Sequence, residues 1–127
     1  EINVADYLGI VIDQSFRDTT IFSHLSIVQK RQVGNWGFNL ISVPESELGY
    51  VVSTLQDYMI DIRTDCWYAH FFSGNELVIV FQDKIFHCTT DRATWKDSIV
   101  YGISNGIPSE QLDFVPHTAE DAERFFA

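Results

Sequence analysis

Residues 66–88 read CWYAHFF, SGN, ELVIVFQ, D, KIFHC: three runs rich in aromatic and β-branched residues, broken by a Ser73-Gly74-Asn75 turn signal and a tight turn at Asp83. Runs of this kind with this punctuation form strands joined by short loops, so this part of the chain is expected to be an antiparallel meander. Pairing Phe72 with Glu76 across the first turn and Gln82 with Ile85 across the second assigns every side chain to a face, because neighbours along a strand alternate. One face then collects Trp67, Ala69, Phe71, Leu77, Ile79, Phe81, Phe86 and Cys88, an apolar surface that belongs to the core. The other collects Tyr68, His70, Phe72, Glu76, Val78, Val80 and His87, together with Cys66, Gln82 and Ile85, and is half polar.

The rest of the chain supplies partners for that meander. Residues 7–16 (YLGIVIDQSF) carry apolar side chains on both parities, as a strand covered on both faces does, and are placed centrally in the sheet. Residues 25–33 and 36–43 flank Gly34-Asn35 and read as a hairpin. After Pro44, the acids Glu45 and Glu47 suit a helix N-terminus, and Leu48, Val51, Val52, Leu55 and Met59 repeat at helical spacing. A second helix is expected from about Arg92, with apolar positions at Trp95, Ile99 and Ile103 and a stop at Gly106-Ile107-Pro108, where glycine suits the left-handed C′ position. Residues 111–116 read as an extended tail, and Thr118 to Asp121 as a capping box opening a short last helix. The expected architecture is α+β: a largely antiparallel sheet of about six strands, two main helices packed on one face, and a short C-terminal helix, all in one domain spanning residues 1–127.

Charge narrows the partners. Eight Lys and Arg face eighteen Asp and Glu, a net −10, which argues against nucleic acid and against anionic membrane surfaces. The longest apolar run, Leu77 to Phe81, is far short of the roughly twenty residues a spanning helix needs. Glu1-Ile2-Asn3-Val4 lacks a basic segment followed by an apolar one, although the missing initiator Met is compatible with a trimmed start. Two cysteines, Cys66 and Cys88, form neither a disulfide framework nor a zinc pattern, so two free thiols and a cytoplasmic location are expected. Much of the acidity falls in connections and tail (Asp57, Asp61, Asp65, Glu110, Asp113, Glu120), where it reads as solubility rather than as a binding site.

Three readings fit the mixed face carrying Tyr68, His70, Phe72, Glu76, Val78, Val80 and His87. It is a subunit interface or a contact with the C-terminal tail, an ordinary half-exposed sheet surface, or a small-molecule pocket framed by Tyr68, His70, Glu76 and His87. His70 and His87, two strands apart, are too distant to share a metal ion. Trp36, Trp67 and Trp95 fall at in-facing positions and read as core, and Cys88 as a small buried hydrophobe. No phosphate-binding loop, dinucleotide fingerprint, zinc-protease motif, nucleophile elbow or calcium loop occurs, so no catalytic residue, metal or cofactor is assigned.

Trp67-Tyr68-Ala69, Phe81, Lys84-Ile85-Phe86, Tyr101-Gly102-Ile103, Gly106-Ile107-Pro108 and Gln111-Leu112-Asp113-Phe114 together resemble a family of short bacterial and archaeal hypothetical proteins. The resemblance implies the fold and a cytoplasmic location, and carries no activity. The first expectation for function is therefore a small interaction domain that pairs with itself as a homodimer or docks on another protein through the mixed face. The alternative is a small-molecule binder or enzyme with a His- and Tyr-lined pocket.

Overall fold

The computed structural model describes residues 6–127, and Glu1-Ile2-Asn3-Val4, which lacks the pattern of a leader, lies outside that range. The fold is α+β. Its strands are β1 (Tyr7–Ile12), β2 (Ile27–Val33), β3 (Trp36–Val43), β4 (Tyr68–Ser73), β5 (Glu76–Phe81) and β6 (Lys84–Thr89). They form one six-stranded sheet in the order β2-β3-β1-β4-β5-β6, with every neighbouring pair antiparallel. The helices are α1 (Leu48–Tyr58), α2 (Lys96–Ser104) and α3 (Ala119–Phe126). Among the described residues no helix is long and apolar enough to cross a membrane.

β1 occupies the middle of the sheet, as its two-sided apolar pattern requires. Gly9 makes that position possible: a Cβ there would lie 2.4 Å from the ring of Phe71 on β4. The strand is shorter than expected, because the polar Asp13-Gln14-Ser15 stretch tightens into a 3-10 turn. A second such turn, Thr19–His24, is capped by the Asp18 side chain and drives Ile21 fully into the core.

The meander differs from expectation by one residue. Ser73, not Phe72, pairs with Glu76, so Phe72 faces Leu77, His70 faces Ile79 and Tyr68 faces Phe81. A one-residue slip moves a whole strand's side chains to the opposite face. Across the second turn Phe81 pairs with Lys84, which leaves the relative facing of β5 and β6 unchanged. Tyr68, His70 and Phe72 therefore share a face with Leu8, Ile10, Leu40, Leu77, Ile79 and Phe81, whereas Ala69 and Phe71 share the other with Val11, Ile41, Val78 and Val80.

Both faces are covered, each by its own core. Val51, Val52 and Leu55 of α1, with Met59, pack on the side carrying Ala69, Phe71, Val78 and Val80. On the opposite side lie Ile99 and Tyr101 of α2, Trp95, the tail residues Ile107, Leu112 and Phe114, and Ala122 and Phe126 of α3. The two main helices thus sit on opposite faces and not on one, because a sheet whose strands are apolar on both parities needs cover on both sides.

The segment after α2 positions the site. Gly106, at φ 99°, ends the helix: its N–H donates to Ile103 O and the Ile107 N–H to Gly102 O, both at 3.0 Å, while Ile107 is buried. This is the left-handed stop that the Gly-Ile-Pro run implies. Leu112 then folds back onto Gly102, where an added Cβ would lie 2.7 Å from Leu112 Cδ2. The tail is not uniformly extended, since Ser109–Gln111 make a 3-10 turn and Phe114 adopts a φ of 50°. Thr118 caps α3 by accepting the Asp121 N–H at 3.1 Å.

Candidate functional site

Because the tail crosses the sheet from α2 to α3 without covering all of it, a groove is left beside Tyr68 and His70. Its volume is about 580 Å³. The sheet contributes Ile10 and Ile12 of β1, Trp36 and Phe38 of β3, and Tyr68 and His70 of β4. Asp65, Cys66 and Trp67 reach it from the chain just before β4, and the tail supplies Ile107, Glu110, Gln111, Asp113 and Val115. Phe125 of α3 completes it.

The rings along the sheet side touch in sequence. Trp67 meets Trp36 edge to face at 5.6 Å, Trp36 meets Phe38 at 6.2 Å, and Phe38 meets Phe125 at 5.3 Å. These separations are in the favourable range for aromatic pairs, so the four rings form one continuous wall. Trp95 is core, 1% exposed, as expected, whereas Trp36 and Trp67 are only half buried and line the groove.

Two hydrogen bonds tie the sheet to the tail. The Tyr68 hydroxyl donates to Gln111 O at 2.5 Å, and His70 Nε2–H donates to Pro116 O at 2.7 Å. Burial, with the nearby Asp113 charge, pushes the Tyr68 hydroxyl far above its ordinary range, so it stays protonated. His70 is buried, and loss of solvent pulls its pKa down to about 4 against the opposing pull of the Pro116 carbonyl. It is a neutral imidazole at neutral pH, with the Nε2 proton fixed by a carbonyl that can only accept. Among the described residues no buried side-chain nitrogen or oxygen lacks a hydrogen-bond partner. The Cys66 thiol is pushed up to about 11 by burial and by the Asp83 and Asp65 charges, which makes it a poor nucleophile. Both cysteines are free.

The buried imidazole makes stability depend on pH. A group whose folded pKa lies below its unfolded value contributes stability in full above about pH 6.5, and that contribution is lost as pH falls toward 4. Between pH 7.5 and 5 the wild type is expected to lose about 2 kcal/mol through this residue. His70→Gln, which keeps a donor and cannot titrate, should lack that component in paired denaturant titrations. Parallel pH profiles for the two proteins would remove the assignment.

The residues expected to share one mixed face are divided by the sheet. Tyr68 and His70 border the groove, and Phe72 lies beyond them, buried in the same core. Glu76, Val78, Val80 and His87 are on the α1 side, with Val78 and Val80 buried and Glu76 and His87 exposed. His70 and His87 thus face opposite ways. Asp57, Asp61 and Asp65 do not converge: Asp61 takes Arg63 at 2.8 Å, which holds its carboxyl down to about 2, and Asp65 accepts the Trp67 indole N–H at 2.9 Å. The groove is completed by residues whose sequence pattern points elsewhere: Trp36 and Trp67, at in-facing core positions, and Asp65, Glu110 and Asp113, in the acidic connections and tail. Trp36, Phe38 and Leu40 share one strand parity, and that was the available signal.

Comparison with protein-family models, curated proteins and solved structures finds no match to this chain. The groove is therefore interpreted from its own chemistry.

Proposed function

We propose that this protein is a small-ligand binder whose site is the groove between the sheet and the C-terminal tail. The observation that carries the reading is the cavity of about 580 Å³ walled by aromatic side chains, with Tyr68 and His70 at its base. That volume is within the range of small-molecule sites, roughly 300–1,000 Å³, and an apolar wall with few polar groups is their usual composition.

Binding is favoured over catalysis by the state of the reactive groups. A general acid or base works best with a pKa near the working pH, and a nucleophile needs activation. Tyr68 is locked protonated, His70 is held neutral with one nitrogen committed to Pro116, and the Cys66 thiol is raised away from its reactive form. A homodimer built on Val78 and Val80 loses its basis because both are buried beneath α1. The two free thiols support a cytoplasmic setting.

The three indole N–H resonances provide the test. A ligand found in a metabolite screen by thermal shift should move the signals of Trp36 and Trp67 and leave that of the buried Trp95 in place. At a hundredfold excess over Kd it should stabilise the fold by about 2.7 kcal/mol. Trp36→Ala should abolish both effects. Shifts that map outside the groove, or a complete screen without a stabilising compound, would reject the reading.

A further inference from the structure

We infer that the ligand of this groove is a small organic cation, an alkylammonium carried on a short apolar body. The inference rests on the reading of the groove as a ligand site and adds the chemical class. Two independent features of the cavity converge on it. The first is the wall of four touching rings, Trp67, Trp36, Phe38 and Phe125, with Tyr68 beside them. Aromatic faces carry negative electrostatic potential, and such cages attract quaternary and alkylated ammonium groups.

The second feature is charge. Asp65, Glu110 and Asp113 line the cavity, and among the described residues no Lys or Arg does. Among the described residues none of the three is ion-paired: Asp65 accepts only the Trp67 indole N–H, and Asp113 only the Val115 N–H, at 3.4 Å. The Tyr68 hydroxyl has spent its proton on Gln111 O and His70 Nε2–H on Pro116 O, and the nitrogen donors left on the lining are neutral, the Gln111 amide and the Trp36 indole. The charged side chains on the lining, among the described residues, are thus all anions. A phosphate, a carboxylate or a nucleotide would meet repulsion and no cationic partner, whereas an ammonium meets carboxylates and rings.

One basic side chain stands at the margin. Arg31 of β2 donates from Nη1 to Phe125 O at 2.5 Å, and its guanidinium lies 4.9 Å over the Phe125 ring. It shows that this wall already holds a cation of the protein's own, and it offsets part of the acidic charge. Removing it should therefore strengthen binding of a cationic ligand, a direction that a generic apolar pocket does not share.

Choline and its neutral isostere 3,3-dimethylbutan-1-ol are the probes, titrated against the intact chain while the Trp36 and Trp67 indole signals are followed. Choline should bind at least tenfold more tightly than the isostere and weaken with added salt. Glu110→Gln and Asp113→Asn should each weaken it about three- to tenfold, and Arg31→Gln should tighten it about two- to fivefold. N-acetyl-lysine methylamide distinguishes a free amine ligand from a lysine side chain presented by another protein, and tighter binding of that probe would assign the second source to the same chemistry. Equal affinity for choline and the isostere overturns the cationic inference and leaves the groove as a ligand site. Movement of neither indole signal with any ammonium probe, while a screened compound of another charge moves them, overturns it as well. If no compound of any class moves them, the groove reading falls too.

Discussion

An aspartate at Val80 is expected to leave no stably folded protein at 25 °C. Val80 is fully buried on the α1 side of β5, pairs with Ile85 of β6, and belongs to a cluster whose buried members are all apolar, among them Val78, Ala69, Phe71 and Leu55. The substitution removes the burial of a valine, about 1.5–2 kcal/mol, and strands a carboxylate among apolar side chains, which costs several kcal/mol more. A domain of this size holds about 5–15 kcal/mol in total, so the two losses consume most or all of it. Far-ultraviolet circular dichroism and a urea titration read the result. Ile85→Asp is the control, because Ile85 lies beside Val80 on the same face but is 38% exposed. It should cost no more than about 1 kcal/mol. Had Val80 belonged to an exposed interface, the Asp variant would stay folded and change only its oligomeric state, and that outcome would contradict the register described above.

The sensitivity of that site explains why the sheet was legible in outline and not in its facing. ELVIVF is apolar on both parities, so burial pattern alone does not say which side chains look toward α1. Facing was then decided by the length of one turn. Reading Ser73-Gly74-Asn75 as a three-residue loop pairs Phe72 with Glu76; the actual loop is Gly74-Asn75, with Gly74 at φ 57° and Ser73 opposite Glu76. Glycine at the first central position followed by another residue suits a type II′ two-residue hairpin turn, so the correct register was written in the sequence as turn chemistry, not as periodicity. The helices were readable for the opposite reason. α1 has one apolar stripe and the stop of α2 uses residues with few alternatives, yet neither pattern says which side of the sheet a helix will choose.

The groove was half visible. Tyr68 and His70 stood out as polar groups in an apolar strand, and both are at its base. What completes it comes from distant parts of the chain: Trp36 from the first hairpin, Asp113 from the tail, Phe125 from the last helix. No local pattern records that these meet, because the meeting is produced by the tail folding back over the sheet at Gly106 and Leu112.

Phe114 anchors that fold-back beside the Tyr68 and His70 hydrogen bonds, and removing its ring should be costly. Phe114 is completely buried, with its ring 5.1 Å from Trp95 and 5.4 Å from Tyr68, both edge to face, and 6.4 Å from His70. Phe114→Ala empties this position and is expected to cost about 3–5 kcal/mol, moving the urea midpoint down by about 1–3 M. The backbone adds a second, diagnostic effect. At φ 50° this residue occupies the left-handed region, where a side chain with a Cβ pays roughly 1–2 kcal/mol that glycine does not. Phe114→Gly, which enlarges the cavity by only the alanine methyl but relieves the strain, should therefore be more stable than Phe114→Ala by up to about 1 kcal/mol, the reverse of the order at ordinary positions. Both variants should lose ligand binding in parallel, since the wall carrying Glu110 and Asp113 is held to the sheet through this ring and the Tyr68 and His70 hydrogen bonds beside it. A Phe114→Ala protein within 1 kcal/mol of wild type would show that the tail is held elsewhere, and a glycine variant less stable than the alanine one would show that the left-handed conformation is not what the native state uses.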